Sequence, residues 1–151
     1  MPDNAITIVG NITRDPELKF LNSGQAAVRM SVAVNRRWQN RQTQEWEERT
    51  SYFEVTGYGA MAENAANSLT KGARVIVSGR LEQRSWETDQ GDKRSIVEIN
   101  ADEIAPSLRY ATAVVTKTPR PEGSGFASDR PRTTNAPAHE PAAYTFDEEP
   151  F

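Results

Sequence analysis

Tyr52 and Tyr58 sit in a segment, Arg49 to Tyr58, whose residues alternate as a half-buried strand does. Strand parity sends Tyr52, Glu54, Thr56 and Tyr58 to one side and Phe53, Val55 and Gly57 to the other, so both tyrosines face away from the apolar residues. A later segment places Arg80, Arg84 and Trp86 outward together in the same way. Exposed rings interleaved with guanidinium groups can hold a polyanion of flat bases: each base stacks on a ring, for roughly 1 to 3 kcal/mol, while arginines follow the phosphates. The competing use of such rings is burial against a partner subunit.

A long polar connection from Arg37 to Glu48 carries Trp38 and Trp46, with Arg36, Arg37 and Arg41 close by, and reads as a hairpin arm. Arginines on both sides of Trp38 suit a nucleic-acid strand. Trp46 is flanked by Glu45, Glu47 and Glu48, which repel phosphates, so it reads better as a residue that packs the hairpin. Arg49 and Lys71 complete the basic set expected to track a backbone together with Arg36, Arg37, Arg41, Arg80 and Arg84.

Other chemistries find little support. The chain has no cysteine, and its one histidine, His139, lies in a Pro/Ala stretch, which removes thiol nucleophiles, Cys-based zinc sites and His-centred catalysis from the folded part. No metal or cofactor is expected. Gly57 to Ala62 does match G-x-G-x-x-A after a strand and before a helix, as a dinucleotide-binding turn would. The strand before it alternates instead of being continuously apolar, Tyr58 is bulky inside the turn, and no repeated βαβ units follow. An enzyme with a nicotinamide cofactor is therefore the weakest of three readings, behind a nucleic-acid binder and a protein-interaction module that uses Trp46 and the outward tyrosines as anchors.

The elements that must position these residues are five strand-like segments: Ala5 to Asn11, Gln25 to Arg36, Arg49 to Tyr58, Ala73 to Arg84 and Lys93 to Ile104. In the second, Ala26, Val28, Met30, Val32 and Val34 oppose Arg29, Ser31 and Asn35. Between the third and fourth, Met61 to Leu69 predicts one short helix with Met61, Ala65, Ala66 and Leu69 on its apolar stripe, closed by a basic last turn and a glycine stop at Lys71-Gly72. The order β-β-β-α-β-β suits a small all-β barrel of OB type, whose usual ligands are oligonucleotides and oligosaccharides.

The 36% hydrophobic content of this 151-residue chain is low for a chain packed throughout, so one domain and a flexible extension are expected. Residues 1 to 110 form the domain and carry 14 basic and 15 acidic groups, so the formal net charge of -3 arises mostly beyond them. From Ala111 the composition turns to Pro, Ser, Thr, Gly and Ala without a hydrophobic period, which predicts a disordered linker to residue 146. Within it the β-branched segment from Tyr110 to Lys117 could add one more strand. The end, Asp147-Glu148-Glu149-Pro150-Phe151, joins an aromatic ring to a free carboxylate behind three acids, a peptide that an Arg- or Lys-lined pocket would capture. Ala5 to Val9, the longest apolar run near the start, is too short for a signal-peptide core or a membrane helix, and a cytoplasmic location is expected.

Taken together, these pieces resemble the bacterial single-stranded DNA-binding protein family. The matching residues are Ile8-Val9-Gly10-Asn11 followed by Asp15-Pro16-Glu17, the Trp38 arm, Phe53-Glu54-Val55, Ala62-Glu63, Lys71-Gly72, Val77-Ser78-Gly79-Arg80-Leu81, Arg84-Ser85-Trp86 and the acidic tip ending Pro150-Phe151. Pro106 to Ala113 looks like the actinobacterial branch, in which an added strand, here within 111-117, clamps neighbouring subunits. The resemblance implies an OB-fold homotetramer with dimers paired through Ala5 to Asn11, DNA wrapped outside, stacking on Trp38, Tyr52, Tyr58 and Trp86, and a tip that recruits replication, recombination and repair enzymes. Two departures stand out. Glu54 occupies an outward position where relatives commonly carry a basic residue, and the arm lacks a long glycine-rich run, features that would suit a specialised second copy.

Overall fold

The computed structural model describes residues 4–120. Alternating apolar and polar residues produce six strands and one helix: β1 (Ala5–Ile12), β2 (Glu17–Phe20), β3 (Ala26–Gln39), β4 (Trp46–Tyr58), α1 (Ala60–Ser68), β5 (Arg74–Glu87) and β6 (Lys93–Pro106). The strands run in the order β1-β5-β6-β4-β3-β2, and a second pairing of β1 with β3, Asn11 opposite Ala33 and Ile12 opposite Val32, returns the sheet to its start. Five strands thus close a barrel, seamed on the other side by a parallel pairing of Val55 with Ile99 and Thr56 with Asn100. Closure leaves the barrel strands no free edge over the seam.

The barrel interior is filled by the inward set of each strand. Val28, Met30, Val32, Val55, Val75, Val77 and Ile99 are completely buried, with Ile8 and Ile12 beside them. Each is the alternate residue that parity assigns inward. Long β5 and β6 bend around this core at a bulge between Ser78 and Gly79. A Cβ on Gly79 would strike the carbonyl of Asn100, so only glycine lets the two strands approach there.

Three details differ from the sequence expectation. β2, a four-residue strand, lies outside the barrel on the edge of β3, where Leu18 faces Val28 and Lys19 faces Ala27. The helix ends at Ser68, with Leu69 already extended and its N–H bonded to the Ala65 carbonyl at 2.9 Å; its buried residues are Ala62 and Ala65, flanked by partly buried Met61 and Ala66. Lys71-Gly72 therefore lies beyond the helix and forms the turn into β5, the Lys71 N–H bonding Asp15 Oδ1 at 2.7 Å and the Gly72 N–H bonding the Ile12 carbonyl at 2.7 Å. The third difference is the arm: β3 and β4 pair without interruption from Ala27–Tyr58 out to Gln39–Trp46, so the polar connection shrinks to a turn over residues 40–45.

The chain divides into two units, Met1–Val115 and Thr116–Phe151. β6 ends at Pro106, and residues 111–120 carry no strand in the single chain. Among the described residues, no helix is long and apolar enough to cross a membrane.

Candidate nucleic-acid interface

The outward face of β4 carries the two tyrosines in open positions. Tyr52 is 70% exposed and Tyr58 40%. Their cross-strand neighbours on β3 are Ala33 and Ala27, so on that side only a methyl group stands beside each ring. Small neighbours on an otherwise bulky β surface leave ring faces free for a flat ligand.

Between the tyrosines, Glu54 points the same way, opposite Ser31. It is not a bare acid. Arg29 Nε lies 3.2 Å and Arg14 Nη2 3.4 Å from the same carboxylate oxygen, Oε2, and the Glu54 side chain is only 23% exposed. The backbone explains how Arg14 reaches it: Thr13 donates from both its N–H, at 2.9 Å, and its Oγ1, at 3.2 Å, to the Ser31 carbonyl, fixing the β1–β2 connection beside the residue paired with Glu54.

On the neighbouring β5–β6 surface, Arg80, Arg84 and Trp86 share the outward side, as alternation requires, facing Asn100, Ile96 and Arg94. Trp86 is 46% exposed. Arg80 Nη2 is 3.7 Å from Asp102, and Arg84 Nη2 3.8 Å from the largely covered carboxylate of Glu98. A cleft of about 170 Å³ joins the two surfaces; Tyr58, Arg29 and Arg84 line it together with Leu21 and Lys19 of the β2 side. Lys19 Nζ sits 3.0 Å from Glu17, and its hydrogen bond and positive charge hold the Glu17 carboxyl below its ordinary value. The cleft therefore keeps paired charges, while the Tyr58 ring and the Leu21 side chain give it apolar wall.

The β3–β4 ribbon beyond the barrel places its tryptophans on opposite sides. Trp38 shares a side with Arg36 and Arg49, and the Arg36 guanidinium lies 5.9 Å from its ring centre. Trp46 shares the parity of Tyr52 and Tyr58, with the Arg37 guanidinium 4.9 Å from its ring centre, and is 60% exposed. Trp46 thus touches the hairpin through Arg37 of the opposite strand yet leaves most of its ring to solvent, while Glu47 points to the other side and accepts a hydrogen bond from the Asn40 amide. Asn40 also accepts the Gln42 N–H at 2.9 Å, which organises the turn bearing Arg41. Arg36 and Arg49 stand directly opposite each other, an arrangement of like charges that costs stability unless an anion lies between them.

The structure thus brings Tyr58 and Arg84 to one cleft, groups Trp38 with Arg36 and Arg49, and keeps Lys71 apart on the α1–β5 turn. Arg14 and Arg29 are additions: alternation had put Arg29 on the wet face, whereas nothing in the sequence linked Arg14 to it. The glycine motif has a packing explanation, because a Cβ on buried Gly57 would come within 3.1 Å of Met61 Cε and 3.3 Å of Ile104 Cδ1. β4 pairs antiparallel to β3 along its length, unlike the strand of a dinucleotide-binding unit. Among the described residues, no group of three His, Cys, Asp or Glu side chains could hold a metal ion.

Comparison with known proteins agrees with this geometry. Residues 3–107 match the single-strand binding protein family. A single-stranded DNA-binding protein of Mycobacterium bovis is 51% identical over 92% of this chain and 87% of its own length, and one of Mycobacterium leprae is 54% identical over 80% and 73%. Among solved structures, a Plasmodium falciparum SSB complex with ssDNA superimposes with a TM-score of 0.65 at 28% identity, covering 71% of this chain and 97% of that one. A small single-stranded DNA-binding protein from Streptomyces coelicolor gives 0.60 at 31% identity over 72% and 97%. With an OB barrel, its outward tyrosines and a family match over more than two thirds of its length, the chain belongs to the single-strand binding protein family, with actinobacterial members among its high-coverage relatives.

Proposed function

We propose that this protein binds single-stranded DNA without sequence preference, stacking bases on Trp38, Tyr52, Tyr58 and Trp86 and running the backbone past Arg36, Arg37, Arg41, Arg49, Arg80, Arg84 and Lys71. The observation that carries this reading is the β4 face, where two exposed tyrosines each stand opposite an alanine and share their surface with arginines. Stacking on rings is indifferent to sequence because every base has a π face. The opposed Arg36 and Arg49 add support, since a phosphate between them removes their repulsion.

The assembly in this reading is a homotetramer built on the β1–β5 surface. Val9 and Ile76 are cross-strand neighbours, each 38% exposed, and make an aliphatic contact point on that surface. The segment Ala111–Lys117 is free to add as a clamp strand to a neighbouring subunit; Val114 and Val115 are almost fully exposed in the single chain. Asp147, Glu148, Glu149, Pro150 and Phe151 lie outside the described residues and act here as the tip that recruits replication, recombination and repair enzymes in the cytoplasm. Domain boundaries at 110 and 146 belong to the same proposal.

Titration with poly-dT and with duplex DNA, followed by tryptophan fluorescence at low and high salt, tests this. Quenching by poly-dT alone, weakening as salt rises, is expected. No quenching by either would leave a protein-interaction module, with exposed Trp46 as its anchor.

A further inference from the structure

We infer that Glu54 is a built-in competitor for the DNA backbone: in the free protein its carboxylate occupies the guanidinium groups of Arg14 and Arg29, and a phosphodiester takes its place on them when DNA binds. This rests on the single-strand binding reading above and adds Arg14 and Arg29 to the phosphate-contacting set.

Position comes first. Tyr58 lies six residue steps along β4 from Tyr52, about 20 Å at 3.3 Å per residue, so a strand stacked on both rings must cross the surface above Glu54. Depth comes second. The Glu54 side chain is 23% exposed, whereas those of Arg29 and Arg14 are 44% and 66% exposed, so the acid lies beneath and the guanidinium groups lie toward solvent. A phosphate arriving from outside meets the arginines first.

Charge decides the direction of the exchange. Two guanidinium groups share a single carboxylate oxygen, and Glu17, on which both arginines also act, is paired with Lys19, so the three cations outnumber the two acids. The Arg29 and Arg14 side chains, at 44% and 66% exposed, are open to an incoming phosphate without any opening of the surface. Arg29 also lines the cleft beneath Tyr58 and Arg84, so a guanidinium released from Glu54 remains within the proposed path of the strand. An acid at this position thus lowers the attraction for DNA, without removing the cations.

The test is oligo-dT binding to the full chain and to Glu54→Gln, measured over a series of salt concentrations, with melting temperature recorded for each variant. Removing the competing anion is expected to raise affinity several-fold at low salt, a gain that shrinks as rising salt screens the carboxylate in the parent chain. Adding Arg29→Ala and Arg14→Ala to Glu54→Gln is expected to abolish the gain. Unchanged or weaker binding by a normally folded Glu54→Gln overturns the inference, as does a gain that survives loss of both arginines, which would be a long-range charge effect. Absence of oligo-dT binding by the parent chain removes the single-strand binding reading itself and this inference with it, whereas parent binding with an unresponsive Glu54→Gln removes the inference alone.

Discussion

Two outward faces of the same barrel, the β3–β4 face and the β1–β5 face, are built on one pleat and finished with opposite chemistry. On the first, Tyr52, Glu54 and Tyr58 alternate along β4 with alanines, Ser31 and Arg29 opposite, and arginines from two elements converge. On the second, Val9 faces Ile76, and Thr7 donates from its hydroxyl to Ser78 Oγ at 3.3 Å, so these four residues carry no charge at all. An aliphatic, uncharged strip can be buried against a like surface without stranding an ion, whereas a strip of rings and guanidinium groups needs a partner that is both flat and anionic. The inward residues are interchangeable aliphatics on both sides; what differs is carried only by the alternate positions.

Breaking the first face should have the largest effect. With Tyr52 and Tyr58 both changed to alanine, two stacking contacts of roughly 1 to 3 kcal/mol each disappear, and poly-dT affinity should fall by between one and four orders of magnitude; calorimetric titration at fixed salt reads it, and retained affinity would refute the assignment of the face. Breaking the second face should spare the chemistry of the first. Charged substitutions Val9→Glu and Ile76→Glu together should reduce the assembly mass seen by light scattering, while each subunit keeps its melting transition; an unchanged mass would locate the subunit contact elsewhere.

A subtler change sharpens the comparison. Ala33→Leu leaves the inward core untouched and lays an isobutyl group beside the Tyr52 ring, so it should weaken oligo-dT binding by no more than one stacking contact, about 1 kcal/mol, at unchanged stability. The smallest effect is expected at the far end: deleting Pro150-Phe151 should abolish capture of partner enzymes in a pull-down yet leave poly-dT affinity the same or slightly higher.

Alternation made much of this legible in the sequence. Arg29, Tyr52, Tyr58 and Arg80 face the side that parity assigned, because the other side of their strands there is buried or half-buried, and Arg84 and Trp86 keep the same alternation although Gln83, Ser85 and Glu87 are exposed as well. The signal faded where that burial stopped. The β3–β4 ribbon beyond the barrel is solvated on both sides, so nothing imposes an apolar period, and Arg37 to Glu48 looked like a loop although it pairs to Gln39–Trp46. β2 escaped notice for a related reason, being four residues on an edge with only Leu18 turned to the core. The Arg14–Glu54–Arg29 cluster spans connections 40 and 25 residues apart in sequence, and only strand register, with Thr13 anchored to Ser31, brings the three together.

The side-by-side Arg36 and Arg49 make the ribbon respond to dissolved ions in its own right. Beyond the barrel it is held by its own ladder and by cross-strand side-chain contacts such as Arg37–Trp46 and Thr50–Asn35, and the Arg36–Arg49 repulsion works against these in local fraying. Added salt screens the repulsion. Amide protons near the turn at residues 40–45 should therefore exchange more slowly as ionic strength rises, over the same range in which the affinity for DNA declines, so that one molecule stiffens and lets go in response to the same ions.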